Sequence, residues 1–199
     1  MTSNLHSKAL LFAYFTVGYN ILEGVFSMLA GWLAGSIALV GFGLDSAVES
    51  VSGGVVIWRL LRHGNISHEE EERVEKKAVR FIGISFFILG AYIAFESVKK
   101  LYLHEHPAPT LFGIIIAILS LIIMPVLAYS KYTTGKKMGS RSVVADSKQT
   151  FICSLLSFAL LLGLGSNYLF GYWWADPASA LIIVVFIIRE GFTALKEEK

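Results

Sequence analysis

Six apolar runs constrain this chain more than any other feature. They fall near residues 9–32, 36–58, 78–98, 111–130, 142–165 and 171–191. Each is close to the roughly 20 mostly apolar residues that an α-helix needs to cross a bilayer. Inside hydrocarbon, every backbone polar group must find its partner within the protein, so runs of this length read as helices. The connectors are short. The expected fold class is therefore all-α integral membrane, with six transmembrane helices making a single domain over residues 1–199 and no separate soluble domain. Composition agrees: 55% of residues are hydrophobic and 16% charged, against about a quarter charged in a soluble domain. The first run is too long for a signal-peptide core and carries Glu23 in its interior, so it reads as a retained helix. The net charge of +2 comes with no basic patch or acidic tail, and no nucleic-acid partner is expected. Cys153 is the one cysteine, which excludes an intrachain disulfide framework.

The basic residues orient the helices. All but three of the 17 Lys and Arg fall on one side: Lys8; Arg59, Arg62, Arg73, Lys76, Lys77 and Arg80; Lys131, Lys136, Lys137 and Arg141; Arg189, Lys196 and Lys199. Lys99 and Lys100 lie on the other side, and Lys148 lies within a helix. The excess of positive charge on cytoplasmic loops then predicts cytoplasmic N- and C-termini for a multi-pass protein of the cell membrane. Trp32, Trp173 and Trp174 sit at expected outer ends and Trp58 at an inner one, as aromatic belts do. The longest polar stretch, 59–77, holds His68 and the run Glu69 to Glu72, and reads as a solvated helix extension. His104 and His106 read as members of a solvated outer loop. All three histidines are secondary candidates for metal contact.

Charged groups at mid-bilayer are costly and mark function by default. Asp45 and Glu49 in the second run are four residues apart, which stacks both carboxylates on one helix face. Like charges so close repel, and a lipid-buried carboxylate is expensive to ionise; a divalent cation relieves both problems. Asp146, Gln149 and Cys153 share one face of the fifth run. At ~1.5 Å per residue, Asp45 and Cys153 lie about 13 and 14 Å from the same side of a ~30 Å core, with Gln149 near the level of Glu49. Asp45, Glu49, Gln149 and Cys153 thus form a candidate four-coordinate metal site near the midplane. Asn20, Glu23 and Asp146 are candidates for orienting those ligands. Lys148 is expected to reach the cytoplasm or to pair with Asp146, and Asp176-Pro177 to cap the sixth helix. Pro125 marks a kink or flexing point in the fourth.

The chain also repeats itself. Gly35-Ser36 precedes Asp45 by ten residues and Glu49 by fourteen; Gly139-Ser140 stands in the same relation to Gln149 and Cys153. With three helices in each half, the halves form a 3+3 repeat of inverted topology, and midplane sites at the interface of such repeats are typical of transporters.

These motifs resemble those of the cation diffusion facilitator family. The resemblance is carried by Gly35-Ser36-Ile37-Ala38-Leu39 leading to Asp45-x3-Glu49, by Gly139 to Asp146 leading into the fifth helix, and by Trp174-Ala175-Asp176-Pro177-Ala178-Ser179-Ala180 opening the sixth. It implies six helices, cytoplasmic termini and usually a homodimer. It also implies zinc, cadmium, cobalt, iron or manganese exchanged for protons, with one metal held between helices 2 and 5. The family usually has histidine-x3-aspartate or two aspartates where this chain has Gln149-x3-Cys153. A thiolate is a soft ligand and favours zinc and related ions over manganese or magnesium. With about eight residues after the sixth helix, the chain reads as a short, divergent member lacking the family's C-terminal cytoplasmic domain.

The expected function is secondary efflux of a divalent transition-metal ion, most of all Zn2+, with Cd2+, Co2+ and Fe2+ as alternatives. Metal and protons are the substrates, the lipid bilayer is the surroundings, and no cofactor is expected. No phosphate-cradling Gly-rich motif occurs, which disfavours ATP-driven pumping. No histidine lies in an expected span, and an enzyme is not expected. Two other readings stay open: a non-transporting metal-binding or accessory membrane protein, and a proton-coupled exporter of organic cations.

Overall fold

A computed structural model describes residues 2–62, 67–108 and 110–197. The described residues form six α-helices and no strand: α1 (Thr2–Ala34), α2 (Ile37–Arg62), α3 (His68–Leu103), α4 (Leu111–Met138), α5 (Arg141–Phe170) and α6 (Ala175–Glu197). By length and composition α1, α2, α4 and α5 can each cross a membrane. Most helices run several residues beyond the apolar runs. α3 begins at the acidic stretch, where Ser67 accepts from the Glu70 amide as its N-cap, so residues 68–77 are helical, while 63–66 of the polar stretch lie outside the described residues. α4 continues through Lys131, Lys136 and Lys137. The chain is a multi-pass membrane protein, and its surface is apolar in keeping: Trp32, Leu33, Ile88, Phe95, Leu169 and Val185 all face outward, whereas Asn20, Ser46, Glu49, Ser120, Lys131 and Thr150 are buried.

α1, α2, α5 and α4 pack in a closed ring, each against the next, while α3 and α6 pair with each other and lean on α2 and α5. Without a hydrophobic drive between helices in lipid, close backbone approach supplies much of the contact, and small residues permit it. A methyl at Gly24 would stand 3.0 Å from the carbonyl oxygen of Gly43, and one at Gly43 would stand 2.9 Å from that of Gly24, so these glycines set the α1–α2 crossing. Gly83 and Gly191 face each other in the same way between α3 and α6. The largest buried apolar cluster includes Ala30, Leu39, Ile93, Met124, Leu160 and Ile183, so it draws on all six helices.

The two hairpins α1–α2 and α4–α5 close with the same bonds. Ser36 N donates to Gly31 O at 2.9 Å and Ser140 N to Gly135 O at 3.0 Å. Gly35 N donates to Trp32 O at 3.3 Å and Gly139 N to Lys136 O at 3.2 Å. Gly35 and Gly139 take φ of 65° and 67°, the left-handed region a side chain would strain. The hydroxyls of Ser36 and Ser140 then accept from Leu39 N and Val143 N. The repetition expected from the paired Gly-Ser motifs is thus repeated bond for bond.

Asp176 was expected to cap its own helix. Its carboxylate instead reaches α2, accepting from the Ser36 hydroxyl and, at 3.0 Å, from Ile37 N. At the same corner Lys100 donates to Gly35 O at 2.5 Å. The α3–α4 connector is held by Ala108 N to Ala34 O (2.8 Å) and by Asn167 Nδ2 to Pro107 O (3.1 Å). The rings of His104 and His106 pack on Trp173, with centroids 5.2 and 5.1 Å away. His68 opens α3, and its side chain lies outside the described part of the structure.

Candidate metal site

α2 and α5 meet as their polar residues suggested. Thr150 Oγ1 donates to Glu49 Oε1 at 2.8 Å, and Ser52 Oγ donates to Gln149 Oε1 at 2.9 Å. These two bonds fix the register of the crossing at the level of Glu49 and Gln149. The Cys153 thiol, 1% exposed, lies beside the Glu49 carboxylate and within electrostatic reach of Asp45 and Glu23. Asp45, one turn before Glu49, lies within electrostatic reach of Glu49, Glu23 and Glu190. Glu49 keeps one buried oxygen, Oε2, without a hydrogen-bond partner. Gln149 is half-buried, with its amide oxygen already taken by Ser52. Three of the four residues singled out from the sequence, Asp45, Glu49 and Cys153, therefore share one interior region, with Gln149 at its edge. Among the described residues no three His, Cys, Asp or Glu side chains draw together tightly enough to hold an ion as they stand.

Glu23 belongs to a second cluster that borders the first. Ser46 Oγ donates to Glu23 Oε2 at 2.8 Å, tying α1 to α2, and Tyr19 and Ser120 lie against the same carboxylate. Asn20 is fully buried, and neither its amide oxygen nor its amide nitrogen has a partner. Buried polar atoms in this condition are rare and call for an explanation, an unseen water or ion among them.

Of the two alternatives for Lys148, pairing with Asp146 is the one the structure rules out, and Lys148 is exposed. Lys131, assigned from the sequence to the basic rim of a helix end, is 1% exposed and lies 2.5 Å from Asp146 Oδ2. Its ammonium also donates to Thr150 Oγ1 at 2.9 Å. A chain of contacts thus runs Asp146, Lys131, Thr150, Glu49, from α5 to α4, back to α5 and across to α2. Lys131 and Thr150 escaped the sequence reading. The missing signal was the pairing of α4 with α5, which brings Lys131 to Asp146 across the Gly139 turn.

Residues 11–198 match the family model described as the cation efflux transmembrane domain. The chain is 22% identical over 195 residues to transmembrane protein 163 of Xenopus laevis, a match covering 98% of this chain and 68% of that one. It is 24% identical over 197 residues to a cadmium, cobalt and zinc/H(+)-K(+) antiporter of Bacillus velezensis, covering 96% and 61%. A 25% identity over 177 residues relates it to an uncharacterized transporter of Methanocaldococcus jannaschii, covering 87% and 62%. The chain spans 68%, 61% and 62% of the lengths of these relatives.

Proposed function

The chain belongs to the cation efflux family, and from that premise we propose that it carries divalent transition-metal ions, zinc foremost, across the membrane in exchange for protons. The observation that carries the proposal is the α2–α5 crossing, where the Cys153 thiol lies beside the Glu49 carboxylate, one turn from Asp45, and Glu49 keeps one oxygen without a hydrogen bond. Carboxylate and thiolate together suit zinc and its softer neighbours. In this reading Asp45, Glu49 and Cys153 are the principal ligands, and Gln149 joins them by giving up its bond from Ser52. The side chains close on the ion as it binds, a rearrangement of rotamers at a helix crossing whose backbone is already in place.

The acids and the thiol bind metal only after losing their protons, so loading the ion releases protons and reprotonation releases the ion. A site opened to each side in turn then exchanges one for the other with no further coupling device. The family's description as a cation efflux domain supports export from the cytoplasm as the direction. The test is zinc flux into proteoliposomes holding a zinc-sensitive and a pH-sensitive dye, under an imposed pH gradient. Wild type takes up zinc and moves protons the opposite way, and Asp45→Ala with Glu49→Ala abolishes both signals. Zinc flux indifferent to the gradient overturns exchange. Stoichiometric binding without flux identifies a metal-binding protein in place of a carrier.

A further inference from the structure

Glu49 has two unlike oxygens. Oε1 receives the Thr150 hydroxyl at 2.8 Å; Oε2 is buried and has no hydrogen-bond partner. The difference is imposed from behind. Thr150 carries a single proton and has two acceptors in range, Glu49 Oε1 at 2.8 Å and the carbonyl of Asp146 at 3.1 Å. Lys131 donates to the same hydroxyl oxygen from 2.9 Å, so that oxygen accepts from the ammonium while its own proton goes to the nearer acceptor, the carboxylate. Lys131 is held in turn by Asp146, and all of these groups are buried. A hydrogen bond with one ionised partner is shorter and stronger than a neutral one, so the hydroxyl's bond to the Glu49 carboxylate resists rotation of that group.

We propose that Lys131 and Thr150 are positioning residues that hold Glu49 as a one-oxygen ligand and thereby select small four-coordinate ions over larger ones. This rests on the reading of Asp45, Glu49 and Cys153 as the cargo site. A carboxylate pinned through Oε1 offers Oε2 alone. Four-coordinate zinc accepts one oxygen at about 2.0–2.2 Å. A larger ion completes a higher coordination number by taking both oxygens of a carboxylate, which here requires the Thr150 bond to loosen. The clamp therefore penalises Cd2+ more than Zn2+ without touching either.

The measurement is equilibrium binding of Zn2+ and of Cd2+, each alone and in competition, to the purified full chain in detergent. Thr150→Val removes the hydroxyl and keeps the volume. Zinc affinity then falls roughly tenfold or more, the scale of losing a group that orients a ligand, while cadmium affinity falls less or rises, so the preference shifts toward cadmium. Thr150→Ser restores the hydroxyl and the preference. Lys131→Gln combined with Asp146→Asn removes the buried ion pair without stranding a charge and shifts the preference the same way. The infrared carboxylate bands of the cadmium-loaded Thr150→Val protein move toward two-oxygen coordination. Equal losses for both ions, or an unchanged ratio, overturn the clamp. Glu49→Ala separates the two ideas. If it leaves binding intact, the cargo site is elsewhere; if it abolishes binding while Thr150→Val leaves the ratio alone, the clamp alone falls.

Discussion

The α1–α2 and α4–α5 hairpins share a backbone and differ in charge. Their turns repeat each other's hydrogen bonds, and Ser46 and Thr150 hold equivalent places 104 residues apart, each also within reach of the carbonyl four residues before it. In the first hairpin Ser46 gives its proton to an acid, Glu23, on α1. In the second, Thr150 also gives its proton to an acid, Glu49 on α2, but in addition accepts from the Lys131 ammonium on α4. The position equivalent to Lys131 is Ser27, whose hydroxyl has no partner. The difference teaches that turn and crossing geometry fix a scaffold while the charges mounted on it diverge: Lys131 is matched by Asp146, whereas Glu23 is held by a hydroxyl.

The comparison breaks most readily at its charged member. Lys131→Met strands Asp146 in the interior, and loss of one partner of a buried pair costs about 3–5 kcal/mol. Ser27→Ala deletes an already unpartnered hydroxyl and changes stability little. Unfolding of both variants in mixed micelles checks this, and equal effects contradict the charge asymmetry. A smaller effect sharpens the backbone side of the likeness. A methyl at Gly31 meets Val40 N at 2.7 Å, whereas one at Gly135 meets Val144 N at 3.0 Å. Gly31→Ala therefore costs about 1–3 kcal/mol, and Gly135→Ala less, by the same assay. The smallest effect is at the caps. Ser36→Ala and Ser140→Ala each lose a cap worth about 1 kcal/mol, with the larger loss at Ser36, which also donates to Asp176. Identical losses mean that Asp176 does not stiffen that corner.

Much of this molecule was legible in its sequence because the bilayer allows few solutions. Run length gave the helices, and the Gly-Ser pairs gave two matching turns. The depth of Glu49 and Gln149 anticipated a crossing that Thr150 and Ser52 now fix. Long-range partners were not legible. Lys131 stands where an apolar run gives way to polar residues, and a cation there ordinarily marks the membrane surface. Only the docking of α4 on α5 shows that Asp146 draws it inward. Asp176 misled for a similar reason: an acid before a proline suits its own helix, and only the packing of α6 beside α2 reveals the amides it serves. The orphaned atoms of Asn20 were equally hidden, since the sequence gives a residue's depth but not its neighbours.

The bonds from Asp176 and Lys100 to the start of α2 have a mechanical corollary. A rod tied at one tip moves least there and progressively more along its length. At ~1.5 Å per residue, Glu49 lies about 18 Å from Ile37, and Arg62 about 37 Å. Swinging α2 about this fulcrum would displace its far tip about twice as far as Glu49, so a wide opening at the Arg62 end would need only half that travel at the ligands. The leverage favours access changes on that side, with the Gly35 corner as the pivot.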